Sequence, residues 1–267
     1  MKYFDKINNQ LIFIKKKSTP MFWDKHWENF DISNEIKKGS RDQFISRITK
    51  RYITPSTTKK ILEGGCGMGQ FVYSLEINGY NAYGIDYAKK TIKKINESMP
   101  SLKISFGNVQ NTQFPDNFFH GYWSLGVIEH FFEGYDNIIS EMSRIIKPKG
   151  YLFITFPYMS PIRKIKSRFG LYTIFSRKKF QKNDFYQFAL DYKKVQRDIE
   201  KKGFSLVKKM PFDGIKGLKD EITIIKPLLQ KIYDSQNIFI RILKITISAL
   251  FSPLTSHSIL LVFKKND

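Results

Sequence analysis

The chain has 267 residues, 42% of them hydrophobic, which suffices for one generous α/β domain with insertions and excludes global disorder. Its 45 Lys and Arg against 24 Asp and Glu leave a formal net charge of +21, a field that attracts polyanions such as nucleic acid, an anionic membrane face or a phosphorylated substrate. The one cysteine, Cys66, excludes an intrachain disulfide and a thiolate zinc cluster, and fits a reducing, cytoplasmic setting.

Residues 1–20 read as a peripheral arm, whose apolar run from Leu11 to Ile14 is too short for a signal segment or a membrane span. Residues 21–54 open with MFWDKHWENF, continue as a helical stretch toward Pro55, and read as an N-terminal cap. The rest, 55–267, reads as one domain with insertions at about 158–182 and 213–256. From Lys59 onward short β-like runs alternate with helical ones, the pattern of parallel strands joined by crossover helices. The first strand, Lys60 to Glu63, breaks into Gly64-Gly65-Cys66-Gly67-Met68-Gly69, and a helix follows from Gln70 until Gly79 stops it. Further strands are expected at Asn81 to Asp86, Leu102 to Phe106, Gly121 to Leu125 and Tyr151 to Phe156. Helices are expected at Ala88 to Ser98, Tyr135 to Ile146 and Asp191 to Lys202, with a turn at Lys147-Pro148-Lys149-Gly150. Strands at Phe204 to Met210 and Ser258 to Phe263 complete seven, the last two as an antiparallel pair at one edge. The expected fold is a Rossmann-like, seven-stranded, mostly parallel sheet with helices on both faces.

Chemistry concentrates at the glycine-rich turn. In open α/β sheets ligands bind at the carboxyl ends of the strands, and glycines there let the backbone turn and approach the ligand without a Cβ in the way. The spacing Gly65-x-Gly67-x-Gly69 is one residue shorter than the dinucleotide pattern G-x-G-x-x-G and is preceded by Glu63. About 20 residues on, Asp86 ends the second strand, where an acid accepts hydrogen bonds from ribose hydroxyls.

Together these features resemble the class I S-adenosylmethionine-dependent methyltransferases, in particular the group acting on quinones, small molecules and glycans. The resemblance runs from about Ile61 to Phe156 and resumes at Phe185 to Phe212. The family's hydrophobic-acid-x-G-x-G-x-G loop is matched by Leu62 to Gly69, and its strand-four ending S-x-x-V-L-E-H by Ser124 to His130. L-K-P-G-G resembles Ile146 to Gly150, and P-D-x-x-F-D is matched from Pro115, with His120 where Asp is usual; His120 is expected to be structural. The resemblance implies S-adenosyl-L-methionine as cofactor. It implies a site built from Glu63, Gly65, Cys66, Gly67 and Gly69, from Asp86 and Tyr87, from Asn108 and Val109, and from Leu125. Asn108 replaces the commoner Asp opposite the adenine amino group and can accept through its amide oxygen. No metal is expected.

His130 is the candidate general base, beside a Glu129 that would orient it and raise its pKa. His26, in the aromatic N-terminal segment that this family folds over the pocket, is the second candidate, and Cys66 is a poor nucleophile because its backbone serves the cofactor. Residues 158–182 hold eight Lys or Arg and no acid, and could face a phosphate-bearing substrate, lipid headgroups or solvent alone. The apolar stretch 236–251 carries Arg241 and Lys244 on one helix face, so it would either bury against its own domain or lie peripherally on an anionic membrane. The expected activity is methylation, on oxygen, of a small-molecule or a lipid- or glycan-linked acceptor. An RNA-modifying methyltransferase and a non-catalytic cofactor-binding protein are the alternatives. Nucleic acid is the less favoured partner, because no separate RNA-binding module and no Asn/Asp-Pro-Pro-Tyr stretch is present.

Overall fold

The alternation of strand and helix produces a seven-stranded sheet in a computed structural model that describes residues 1–14, 18–39, 43–177, 180, 184–222, 224–235 and 237–267. Strand β3 (Lys60–Gly64) lies at its centre, parallel to β4 (Asn81–Asp86) on one side and β6 (Phe119–Leu125) on the other. Outward from these run β5 (Lys103–Phe106) beyond β4 and β7 (Ile146–Pro157) beyond β6, both parallel. Strand β11 (Ser258–Lys265) pairs antiparallel with both β7 and β10 (Phe204–Phe212), which gives the order β10-β11-β7-β6-β3-β4-β5.

Both faces of this sheet are covered, so its strands are apolar on both sides. Alternate residues feed two separate cores. Leu62, Tyr122 and Leu152 face helices α6 (Asp136–Ile145) and α8 (Tyr192–Glu200) through Ile138, Met142, Val195 and Ile199. Ile61, Trp123 and Phe153 face α3 (Phe44–Lys50), α4 (Gln70–Ile77) and α5 (Lys89–Ser98) through Ile48, Val72, Leu75 and Ile92. Trp123 stacks on Phe153 at 4.5 Å, and its indole N–H donates to the Thr49 hydroxyl at 2.9 Å, which satisfies the one polar atom of a fully buried ring.

Three segments depart from the expectations. Where residues 1–20 are expected to form a peripheral arm, the described residues 1–14 do not: β1 (Lys2–Asp5) and β2 (Gln10–Ile14) form a hairpin inside a second sheet, ordered β8-β1-β2-β9. Its other strands are β8 (Thr173–Ile174), parallel to β1, and β9 (Phe185–Ala189), antiparallel to β2. Leu11 and Ile12 are buried there, against partners more than 170 residues away in the chain. The Lys147–Gly150 turn is absorbed into β7 as a bulge: Ile146 pairs with Phe119 and Tyr151 with Gly121, and Lys149 takes up the slack at φ +64°. The basic run after β7 is not one solvated face. In α7 (Pro161–Arg168) Arg163 is fully buried, while Lys178, Lys179 and Lys182 lie outside the described residues.

The insertion after β10 folds as α9 (Gly214–Glu221), α10 (Lys226–Asp234) and α11 (Ile238–Thr255). Among the described residues no helix is long and apolar enough to cross a membrane. Lys244 does not point outward from α11: its ammonium donates to the Tyr233 carbonyl at 2.9 Å and lies 4.0 Å from that ring's centre. The Arg241 side chain, the other charge on that stretch, lies outside the described residues. Helix α9 meets α11 so closely that a Cβ at Gly217 would collide with the Thr255 carbonyl oxygen. Gly217→Ala is therefore expected to cost about 1–3 kcal/mol through overpacking. Thermal unfolding should show the loss, and hydrogen exchange should place the extra opening in α9 and α11.

Candidate functional site

The glycine turn sits at the carboxyl end of β3, and the chain must bend there under β4. The Gly65 and Cys66 amides both donate to the Ile85 carbonyl, at 2.8 and 3.0 Å, and so hang the loop from the neighbouring strand. Gly67 has φ +52°, and a Cβ there would stand 3.5 Å from the Trp27 ring, inside the gap between loop and lid. Asp86 closes the loop from the other side: one carboxylate oxygen accepts the Gly67 amide and the other the Ala88 amide, each at 2.9 Å.

The lid is α1 (Pro20–Trp27), capped by the Thr19 hydroxyl, which accepts the Phe22 amide. Asp24 tethers it to the start of α5, accepting from the Thr91 amide at 3.0 Å and its hydroxyl at 3.2 Å. Trp23 and Trp27, four residues apart, project on one side of α1 and stack on each other at 6.3 Å. Together the loop, the strand ends and these two indoles enclose a cavity.

Of the residues expected at the cofactor, Gly65, Gly67, Asp86, Tyr87, Asn108, Val109 and Leu125 line this cavity, as does His130. Glu63, Cys66 and Gly69 stand behind the wall instead. Glu63 is buried, one of its carboxylate oxygens has no hydrogen-bond partner, and burial together with the neighbouring Asp86 pushes its pKa well above the usual carboxylate range. Burial also raises Asp86, against the amides that bond it. Burial, with Asp86 and Glu63 adding to it, keeps the Cys66 thiol protonated. Gly69 caps α4 at φ +78°. The Asn108 amide oxygen accepts the Gln110 amide at 2.9 Å within its own turn. His120 is in the scaffold, where its Nδ1 accepts the Lys60 amide at 3.1 Å.

Sequence reasoning missed Trp23 and Trp27 as lining residues, although their i, i+4 spacing inside an aromatic segment is a visible signal of one shared face. His26, on the same helix, does not line the cavity and packs edge-on to Trp27 at 4.3 Å.

The Glu129–His130 pair is arranged differently from the expectation. Both lie on a single 3-10 turn (Ile128–His130) after β6. The His130 Nδ1 contacts the Tyr186 carbonyl at 2.8 Å, so that nitrogen carries the proton and Nε2 keeps the lone pair. Burial lowers the His130 pKa to about 4, opposite to the rise expected from a neighbouring carboxylate. Glu129 is not its orienting partner. One Glu129 carboxylate oxygen is buried with no hydrogen-bond partner, and burial pushes its pKa up to about 8. Glu129 lines a second cavity of about 770 Å³ that adjoins the first, and Gly126 and His130 belong to both walls.

A strand order of this kind, with a glycine elbow on the central strand and a carboxylate on its neighbour, defines the class I S-adenosylmethionine-dependent methyltransferase architecture. A family model described as a methyltransferase domain matches residues 62–154. Demethylmenaquinone methyltransferase of Geobacillus sp. (strain WCH70) is 26% identical over 144 residues, 51% of this chain and 61% of that protein, so the chain spans about three-fifths of the relative's length. Among solved structures, the PH0226 protein from Pyrococcus horikoshii OT3 has a similar fold, with a TM-score of 0.58 and 17% identity over 91% of this chain and 99% of that one. Geranyl diphosphate C-methyltransferase from Streptomyces coelicolor A3(2), crystallised with Mg2+, geranyl diphosphate and S-adenosyl-L-homocysteine, has a TM-score of 0.50 and 14% identity over 82% and 78% of the two chains. Residues 62–154 thus match a methyltransferase domain, on the fold shared by S-adenosylmethionine-dependent methyltransferases, and S-adenosylmethionine is the cofactor that this domain implies.

Proposed function

We propose that this protein transfers a methyl group from S-adenosylmethionine to a hydroxyl oxygen of an acceptor seated in the larger cavity. The observation that carries the proposal is the junction: two cavities share the His130 wall, and a carboxylate with one buried, unpartnered oxygen stands on the wall of the larger one.

The smaller cavity fits the cofactor on its own terms. The absence of a side chain at Gly67 leaves the gap under Trp27 open, and Asp86 stands where it can meet a ribose. Burial raises the proton affinity of both Glu63 and Asp86, and Asp86 adds to the rise at Glu63, an arrangement that a bound cation relieves. When bound, S-adenosylmethionine supplies an electrophilic methyl group on a positive sulfur. The chain's residues have three remaining tasks. Trp23 and Trp27 cover the site and exclude water. His130, neutral at pH 7 and held by Tyr186, walls the junction and positions the acceptor by contact, leaving the hydroxyl proton free to face Glu129. Glu129 takes the proton as the oxygen gains its methyl group; its raised pKa gives it the proton affinity that a base working near neutral pH requires.

The test is direct. Incubation with host extract and isotope-labelled S-adenosylmethionine, followed by mass spectrometry, should reveal one labelled product with stoichiometric S-adenosylhomocysteine. Saturable cofactor binding with no transfer to any extract component would leave a cofactor-binding protein without this activity.

A further inference from the structure

We propose that the larger cavity binds the phosphate group of its acceptor through Lys216 and Lys226. The proposal deepens the reading above, on which it rests, by naming the acceptor's chemical class.

Among the described residues four lysines line this cavity: Lys2, Lys166, Lys216 and Lys226. Two of them are already committed. The Lys2 ammonium lies 2.9 Å and the Lys166 ammonium 3.0 Å from the Glu221 carboxylate, which also takes the Arg163 guanidinium at 3.0 Å and the Tyr172 hydroxyl at 2.6 Å. Against the cost of burial, Arg163 and Lys2 hold Glu221 down at about 2, so it stays ionised. One carboxylate against three cations still leaves the cluster positive. Asp220, the other acid on the wall besides Glu129, is engaged by the His257 ring at 3.1 Å.

Lys216, half-buried on α9 in the field of Asp213, Asp220 and Glu129, and Lys226, exposed at the start of α10, have no close ion pair or hydrogen bond among the described residues. Two ammonium groups without a close ion pair at the wall of one cavity, beside the net-positive Glu221 cluster, favour a ligand carrying about two negative charges. A phosphate monoester brings about −1.5 to −2 at pH 7, whereas a carboxylate brings one. Lysine suits that role as a compact charge with three rotatable donors. The charge gathers at the wall of one cavity, which favours a compact anion over an extended nucleic-acid backbone. Glu129, on the same wall, is protonated at neutral pH and does not repel the incoming anion.

The experiment titrates the full chain calorimetrically with inorganic phosphate and, separately, with S-adenosylmethionine. Phosphate should bind saturably, and Lys216→Ala with Lys226→Ala should weaken it by at least about tenfold. Lys216→Arg with Lys226→Arg should restore most of the affinity, and Lys193→Ala with Lys208→Ala, on exposed surface elsewhere, should leave it unchanged. Cofactor affinity should be the same in all of these variants. Cosedimentation with phosphatidylcholine vesicles carrying phosphatidic acid, lost in the Lys216/Lys226 alanine variant, would place the phosphate on a lipid; saturable phosphate binding without cosedimentation would place it on a soluble acceptor. Absence of saturable phosphate binding overturns the proposal, as does equal weakening by the two alanine pairs, which would mark a diffuse surface field of the kind nucleic acid uses. Cofactor binding without phosphate binding defeats this assignment alone, whereas loss of cofactor binding in the unaltered chain defeats the methyltransferase reading.

Discussion

Glu129→Gln is expected to lower kcat/KM for methyl transfer by about 10²- to 10⁴-fold, the usual contribution of a positioned general base, with cofactor affinity unchanged. Glutamine keeps the shape and burial of the side chain but cannot take a proton. The pH profile separates this role from a structural one. Because burial holds the free-enzyme pKa at about 8, most Glu129 is protonated at pH 7, and only the ionised form accepts the acceptor's proton. The rate of the unaltered protein should therefore rise about tenfold per pH unit below about 8 and level off above it. In Glu129→Gln that limb should vanish. His130→Ala should lower the plateau through lost alignment and keep the limb, because the titrating group remains. A wild-type profile flat between about pH 5 and 8 would instead point to a base with the His130 pKa of about 4, and would remove Glu129 from the reaction.

Asp86→Ala should weaken S-adenosylmethionine binding by about 10- to 100-fold, since a hydrogen bond to a charged group contributes about 1.5–3 kcal/mol. Two effects add in this variant. The ribose loses its acceptor, and the Gly67 and Ala88 amides lose theirs, so the glycine loop is no longer pinned to the end of β4. Asp86→Asn separates them: its amide oxygen can hold one of the two backbone amides, so its loss should be smaller than that of the alanine variant. Calorimetric titration measures both. Unchanged affinity in Asp86→Ala would dissolve the assignment of the smaller cavity to the cofactor.

The sheet was legible because its signals are local. Each strand from Lys60 to Phe156 is a short apolar run closed by turn chemistry, and the Gly65-x-Gly67-x-Gly69 elbow announces its own backbone geometry. Asp86 was legible for the same reason, being the residue at which a strand ends. The amino-terminal sheet was not. Nothing near Leu11 and Ile12 in the chain indicates that they pair with Ala189 and Phe188, because strand pairing over such separations leaves no periodicity in either segment. The reach of α1 over the glycine loop was available from the class resemblance, but which of its aromatics line the cavity depends on the rotation that Asp24 fixes through Thr91.

The amino-acid order alone determined the doubly covered sheet, the glycine elbow with its carboxylate, and hence the class of cofactor, since each depends on residues within a turn or a strand of one another. Tertiary structure decided the proton affinities and the charge of the larger cavity. Glu129 and His130 are adjacent in the chain, yet burial drives their pKa values apart and the Tyr186 carbonyl, not Glu129, meets the His130 ring. Likewise Lys2, Lys166, Lys216 and Lys226 come to one wall from four separate elements. Desolvation and charge summation depend on distances through space, which chain order does not carry.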